Sequence, residues 1–374
     1  ILSILITIAL AFIPALFKSV RNTKLWRKKE IRCKLEPYNE SGVKVIQDKS
    51  NYFIPIYGQF EAPHNTDKLF ISDNRFLLTT KFIKEYLIPN TIGKKRYLIL
   101  AGSGMGKSTF SADLFCQYIN KYNPQNIPFP IHFLYLGDQD VVDRILDLSK
   151  KEEASESILI LDALDENADA TSDIFSFKDK LDEITNIFKF VIITSRTQLF
   201  PDDDSEPTVG KTRQNSNQQK RLKYERIYVS PFAIGDIETY LDRKFSIGTD
   251  KYRKAIQIVK KGNDLMSRPM LLSFIDDLLE IRRVEKMSIA ETYKIIIDQW
   301  LIRECKTQID SEYKLNVSDF YTFSKKLAVY MYRKWEKSGS YHITRSEYEH
   351  FIETNGYSAN PYSFRGRSLI NRKS

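Results

Sequence analysis

Apolar residues along the chain follow three patterns, and each predicts a different element. Short, nearly unbroken runs at Tyr97 to Leu100 (YLIL), Ser157 to Leu161 (SILIL) and Phe190 to Ile193 (FVII) read as strands buried in a parallel sheet, with a further strand in IHFLYLGD, Ile131 to Asp138. Stretches with apolar residues at three- and four-residue spacing read as helices: Ser267 to Glu280, Glu291 to Cys305 and Ser318 to Lys337. In the second, Tyr293, Ile296, Ile297, Trp300 and Leu301 share one face. Thr344, with Glu347 three residues on, has the form of a capping box opening a further helix. The aromatics Phe320, Tyr321, Phe323, Tyr330 and Trp335 keep a helical period and read as core packing. The third pattern is Ile1 to Phe17, ILSILITIALAFIPALF, which carries no charge. As a helix it spans about 26 Å, slightly short of a hydrocarbon core of about 30 Å. No internal repeat is present, and Pro201 to Lys223 reads as a long exposed polar loop.

The run YLIL leads directly into AGSGMGKST, which is followed by the helical pattern FSADLFCQYIN from Phe110. Strand, glycine loop and helix in that order are what a phosphate-binding loop requires. Gly102, Gly104 and Gly106 permit backbone conformations that turn successive N–H groups toward phosphate. A helix starting near Lys107 adds its positive end. The whole loop, Ala101, Gly102, Ser103, Gly104, Met105, Gly106, Lys107, Ser108 and Thr109, is the expected nucleotide cradle. Lys107 is placed for the β- and γ-phosphates and Ser108 for Mg²⁺. Ala101 stands where Gly is more usual.

The run SILIL ends in DALDEN. An Asp at the carboxyl end of a buried strand is where such a fold holds Mg²⁺, which assigns Asp162. Asp165 and Glu166 follow, placed to orient or activate a water. The run FVII ends in Thr194, Ser195 and Arg196, and Arg196 is placed to sense a γ-phosphate or contact a neighbouring domain. Ser195 has no nearby His and is not a nucleophile.

Charge changes the picture at one end only. Of the net +9, +7 falls between Lys18 and Lys34, from eight basic residues and Glu30, which leaves +2 over the rest. A nucleic-acid protein would spread its basic residues over a face, so no nucleic-acid partner is expected. A basic flank after an uncharged run points instead to a single-pass membrane helix with the remainder on the cytoplasmic side, and Trp26 suits the headgroup layer. A buried core helix and an uncleaved signal sequence are the alternatives. Three scattered cysteines and four isolated histidines support neither a disulfide framework nor a zinc site.

Together, AGSGMGKST, DALDE, TSR, SPFAIGDIETYL (Ser230 to Leu241) and RPMLL (Arg268 to Leu272) resemble the NACHT group of the STAND class of signalling P-loop ATPases. The tiny Ala163 between Asp162 and the pair Asp165–Glu166 is the most specific point. The resemblance implies an α/β P-loop NTPase with a doubly wound parallel sheet, then an α-helical domain and the start of a winged-helix domain, after an N-terminal transmembrane helix. Expected boundaries are 1–17 for that helix, 18–51 for a basic linker, 52–229 for the NTPase, 230–310 for the helical domain and 311–374 for the partial winged helix. Pro269 is expected against the nucleotide base. The group's β-phosphate His has no matching context here, and with no initiating Met and an ending at SFRGRSLINRKS the sequence reads as a fragment at both ends.

The implied activity is a slow ATPase switch, ADP-bound off and ATP-bound on, with ATP/ADP and Mg²⁺ as cofactors and self-assembly in the ATP state. Bacterial groups of this kind are often tied to phage defence, which these residues do not decide. ATP is favoured over GTP because no N-K-x-D motif follows the sensor strand. A P-loop phosphotransferase or motor-type ATPase is the alternative function, a non-catalytic nucleotide-bound scaffold a third, and a transporter ATPase is disfavoured by the single apolar segment.

Overall fold

The computed structural model describes residues 53–63, 70–122, 127–200, 223–281, 288–306, 317–341 and 343–357. Seven strands form one sheet: β1 (Tyr57–Gln59), β2 (Phe76–Leu77), β3 (Lys95–Ala101), β4 (Ile131–Tyr135), β5 (Ile158–Asp162), β6 (Phe190–Arg196) and β7 (Glu225–Val229). Their spatial order is β2-β1-β7-β3-β6-β5-β4. The five strands from β7 to β4 run parallel. β1 pairs antiparallel with both β7 and β2, so the expected purely parallel sheet is instead mixed. The pattern of the sequence does not predict β1 and β2, which have three and two residues, too few to show a period.

Each central strand sends alternate residues to two separate apolar layers. Tyr97, Ile99, Ile158, Ile160, Phe190 and Ile192 pack under the helix α1 (Lys107–Lys121) with Phe110 and Phe115. Leu98, Leu100, Leu159, Leu161, Val191 and Ile193 face the opposite layer, covered by α2 (Val141–Ser149) and α3 (Ile174–Thr185). Burial on both faces is why these strands read as unbroken apolar runs. β6 extends to Arg196, so Thr194, Ser195 and Arg196 lie inside the strand rather than after it. From β3 the chain crosses to the far edge and works back through β5 to β6, then reaches β7 on β3's other side. That reversal places a crevice at the carboxyl end of β3.

Beyond β7 the described chain is helical: α4 (Ile234–Phe245), α5 (Asp250–Gly262), α6 (Pro269–Ser273), α7 (Ile275–Leu279), α8 (Ile289–Lys306), α9 (Val317–Ser338) and α10 (Arg345–Thr354). The helix expected over Ser267 to Glu280 is in fact two short ones, broken at Phe274, whose φ of −75° and ψ of 5° leave the helical region. The capping box at Thr344 forms both of its bonds. In the aromatic stripe of α9, Phe320 and Phe323 are fully buried, but Tyr321 and Trp335 are exposed. These two lie one to two positions off the Phe320–Phe323–Leu327 stripe and turn to the outer face, which corrects the all-core expectation. The apolar layer over α1 continues without a break into α6, α7, α8 and α9.

No helix among the described residues is long and apolar enough to cross a membrane. The segment Ile1 to Phe17, the basic linker, nearly all of the 201–223 loop and the terminal SFRGRSLINRKS lie outside the described residues. Of the stretch read as a partial winged helix, the described residues show α9 and α10.

Candidate functional site: the glycine loop and the strand ends beside it

β3 ends at Ala101, and the loop turns into α1 through Gly104 and Gly106, with φ of +71° and +98°. Both glycines also stand close to neighbouring side chains. A Cβ on Gly106 would stand 2.8 Å from Ile56 Cδ1, and one on Gly104 would stand 2.8 Å from Met270 Cε. Gly106 is the N-cap of α1 and offers no side chain, so no side-chain bond caps the helix start. A helix start of that kind is a ready anion site. Lys107, Ser108 and Thr109 occupy the first turn, each half-buried.

Asp162, at the end of β5, is fully buried. Its Oδ1 accepts from Ser111 Oγ at 2.8 Å and from Thr194 Oγ1 at 2.6 Å. The α1 hydroxyl bonded to Asp162 is thus that of Ser111, one turn beyond Ser108. Thr194 Oγ1 also accepts from the N–H of Ala163 at 2.9 Å, tying β5 to β6. Ala163 takes φ of +62°, a left-handed position that a larger or β-branched side chain would strain. This is the physical reason for a tiny residue in DALDE.

The turn started by Ala163 brings Asp165 back against β6. Asp165 is buried and accepts from the Arg196 backbone N–H at 2.8 Å, while Arg196 Nε reaches its other oxygen at 2.8 Å. Arg196 Nη2 stands 3.9 Å from Glu166. Glu166 in turn accepts from the Tyr135 hydroxyl at the end of β4. Burial, then the Glu166 charge, raises the Tyr135 phenol far above its ordinary range. Gly137 leaves room for that ring, since a Cβ there would meet Tyr135 Cζ at 2.5 Å.

Lys107 shares this neighbourhood. Burial lowers its pKa, Asp165 raises it, Arg196 lowers it, and Asp162 and Glu166 raise it. Asp162, Asp165, Glu166 and Arg196, all sequence-predicted, thus lie at and just beyond the carboxyl ends of β5 and β6 and act electrostatically on Lys107. Pro269 lies at the first position of α6, half-buried, and its neighbours make the contacts to the loop. Arg268 Nη1 donates to the Ser103 carbonyl at 3.1 Å, and the Met270 N–H donates to the Gly104 carbonyl at 3.1 Å. Sequence reasoning missed Ser111, Thr194 as a ligand holder, Tyr135, Arg268 and Met270. Tyr135 and Thr194 had a visible signal, a hydroxyl at the end of a predicted strand.

No protein-family model matches the chain, and no curated protein matches it. Among solved structures, two variants of Thermotoga maritima RuvB are similar. One covers 77% of this chain and 80% of its own at 14% identity and a TM-score of 0.36. The other covers 75% and 84% at 14% identity and a TM-score of 0.32. The AAA domain of FIGL-1 in complex with ADP covers 54% of this chain and 72% of its own at 11% identity and a TM-score of 0.29. Scores this low carry no functional weight. The strand order, the left-handed glycines of the loop and the buried Asp162 beside it are the chain's own, and together they make this an α/β P-loop NTPase fold.

Proposed function

We propose that the chain binds an adenine nucleotide with Mg²⁺ and hydrolyses ATP slowly, as a NACHT-type signalling switch tethered to a membrane. The observation that carries the nucleotide reading is the gathering of Lys107, Asp162, Asp165, Glu166 and Arg196 beside a loop whose Gly104 and Gly106 are left-handed. Three carboxylates against two cations leave an excess negative charge, which a polyphosphate alone would aggravate and a divalent cation offsets. Among the described residues no group of three or more His, Cys, Asp or Glu is arranged to hold a metal. In phosphate sites Mg²⁺ takes one or two carboxylates and completes its shell from phosphate and water.

In this reading Asp162 and Ser108 would hold Mg²⁺, and the chemistry the ion would supply is neutralisation of phosphate charge. Lys107 and the loop N–H groups bind the phosphates, and Asp165 and Glu166 orient the attacking water. Arg196 holds Asp165 in place and monitors the γ-phosphate through the same guanidinium. Pro269 borders the base. The membrane tether rests on Ile1 to Phe17 with its basic flank, and the ADP-off, ATP-on cycle, the winged helix and ATP-dependent self-assembly rest on the motif resemblance.

Binding of ATP, ADP and GTP, with and without Mg²⁺, is the first test, against Lys107→Ala. The expected result is Mg²⁺-dependent adenine-nucleotide binding weakened about 100-fold or more in the variant, the scale of a lost charge-assisted contact. Absent binding, or binding indifferent to Lys107→Ala, rejects the nucleotide reading. Light scattering with ATP against ADP tests assembly, and an unchanged mass rejects it. Deletion of residues 1–17 is expected to move the chain out of the membrane fraction, and unaltered membrane retention rejects the tether.

A further inference from the structure

The turn Ser267–Met270 is built to grip the glycine loop. Arg268 is buried to 3% exposure, and its Nη1 donates to the Ser103 carbonyl at 3.1 Å. Two residues on, the Met270 N–H donates to the next carbonyl, that of Gly104, at 3.1 Å. The Met270 side chain lies directly over Gly104, with its Cβ 2.9 Å from where a glycine Cβ would be. The turn itself is anchored, because the Ser267 carbonyl accepts from the Phe232 N–H at 2.9 Å. Burial pushes the Arg268 guanidinium down to about 10, so it stays charged at neutral pH.

A trans peptide is planar, so a carbonyl and the N–H that follows it point in opposite directions. With the carbonyls of Ser103 and Gly104 drawn toward the helical part, the N–H groups of Gly104 and Met105 point away from it. Glycine-rich backbone flips its peptide planes easily unless something holds them. We infer that Arg268 and Met270 are positioning residues for the proposed phosphate site, orienting two loop N–H groups and making phosphate affinity depend on docking of the helical part. This rests on the nucleotide reading above. Coupling is reciprocal: whatever tightens phosphate binding also tightens docking of the Ser267–Met270 turn.

The test compares wild type, Arg268→Lys and Arg268→Met for binding of ADP and of adenosine, which lacks phosphate, with unliganded thermal unfolding as the fold control. ADP affinity is expected to fall about tenfold in Arg268→Met, the scale of one lost hydrogen bond to a charged group. It falls less in Arg268→Lys, and adenosine binding is unchanged in both. Unchanged ADP affinity in both variants overturns the inference, and so does an equal loss for ADP and adenosine, which marks a merely structural role. If Arg268→Met does not fold, Arg268→Lys, which keeps charge and stem, decides by the same two readouts. Wild type that binds no ADP overturns the nucleotide reading and this inference together. ADP binding lost in Lys107→Ala but kept in both Arg268 variants overturns this inference alone.

Discussion

At the amino end of the parallel strands, Arg96 donates to the carbonyls of Lys95, Thr185, Asn186 and Phe188, at 3.0 to 3.3 Å. Beside it, the Tyr224 hydroxyl donates to Asp182 at 2.6 Å, and Lys178 pairs with the same carboxylate. At the carboxyl end, Lys107 forms no salt bridge among the described residues and feels Asp165, Asp162 and Glu166 through space. Both ends bury charge, and burial depresses the pKa of both Arg96 and Lys107. The amino end answers that cost with fixed carbonyls, three of them at or just past the end of α3, where carbonyls lack intrahelical donors. The carboxyl end answers it only in part, through carboxylates already engaged by Arg196, Tyr135, Ser111 and Thr194. The amino-end network anchors its guanidinium on fixed backbone, Arg96 Nε alone lacking a partner, and holds the fold, whereas Lys107, with no salt bridge among the described residues, is suited to a ligand that completes its surroundings.

The sharpest way to break this contrast is Arg96→Met, which removes the guanidinium from four carbonyls, those of Thr185 and Phe188 in buried bonds. Urea unfolding is expected to show a loss of about 3 kcal/mol or more, with ADP affinity of the folded chain unchanged. A loss under about 1 kcal/mol would mean the amino end is not a structural network. Arg196→Met acts at the other end and leaves Asp165 buried without its guanidinium. It is expected to cost about 2 to 3 kcal/mol and to remove ATP turnover, and retained turnover separates stability from function at Arg196.

Ala163 tests the turn that carries the acidic pair. Ala163→Val is expected to destabilise by about 2 kcal/mol, whereas Ala163→Gly, which accepts a left-handed φ, is neutral or stabilising by up to about 1 kcal/mol. Equal costs for the two would remove the backbone explanation. The smallest effect is a pH dependence at Lys107. Its folded pKa lies below the ordinary 10.5, so the folded chain releases that proton at lower pH than the unfolded one. Between the two values the unfolded state binds more protons, and stability of the unliganded protein rises with pH. Relative to Lys107→Met, the wild type should gain melting temperature as pH climbs toward 10.5, and a gap that widens instead refutes the depressed pKa.

Much of the site was legible because its residues stand where an apolar run stops. Lys107, Asp162, Asp165, Glu166 and Arg196 each follow or close a buried strand or its loop, and the pattern that predicts the strand also locates the residue. β3, β5 and β6 were found for the same reason, as doubly buried strands with no polar interruptions. What escaped depends on partners far away in sequence. Ser111 sits inside a helix, and nothing local announces that its hydroxyl meets a carboxylate 51 residues on. Arg268 looked like a flank to Pro269 until its reach of 165 residues to Ser103 was seen. β1 and β2 owe their pairing to β7 and to Gly58, where a Cβ would meet Leu78 at 2.8 Å, and no periodicity encodes that.

The position of β3 in the middle of the sheet also governs when the site can come into being. Its two neighbours arrive late, since Lys95 pairs with Phe190 and Tyr97 with Glu225. Closing loops of that length is slow, and it leaves the strand that carries the glycine loop with two unpaired edges until both partners have been made. During synthesis, a nascent chain that ends between Arg196 and β7 holds the full glycine loop, Asp162 and Arg196, yet not the completed sheet that aligns them. On the proposed function, nucleotide would stabilise the fold by mass action only in a chain already made past β7.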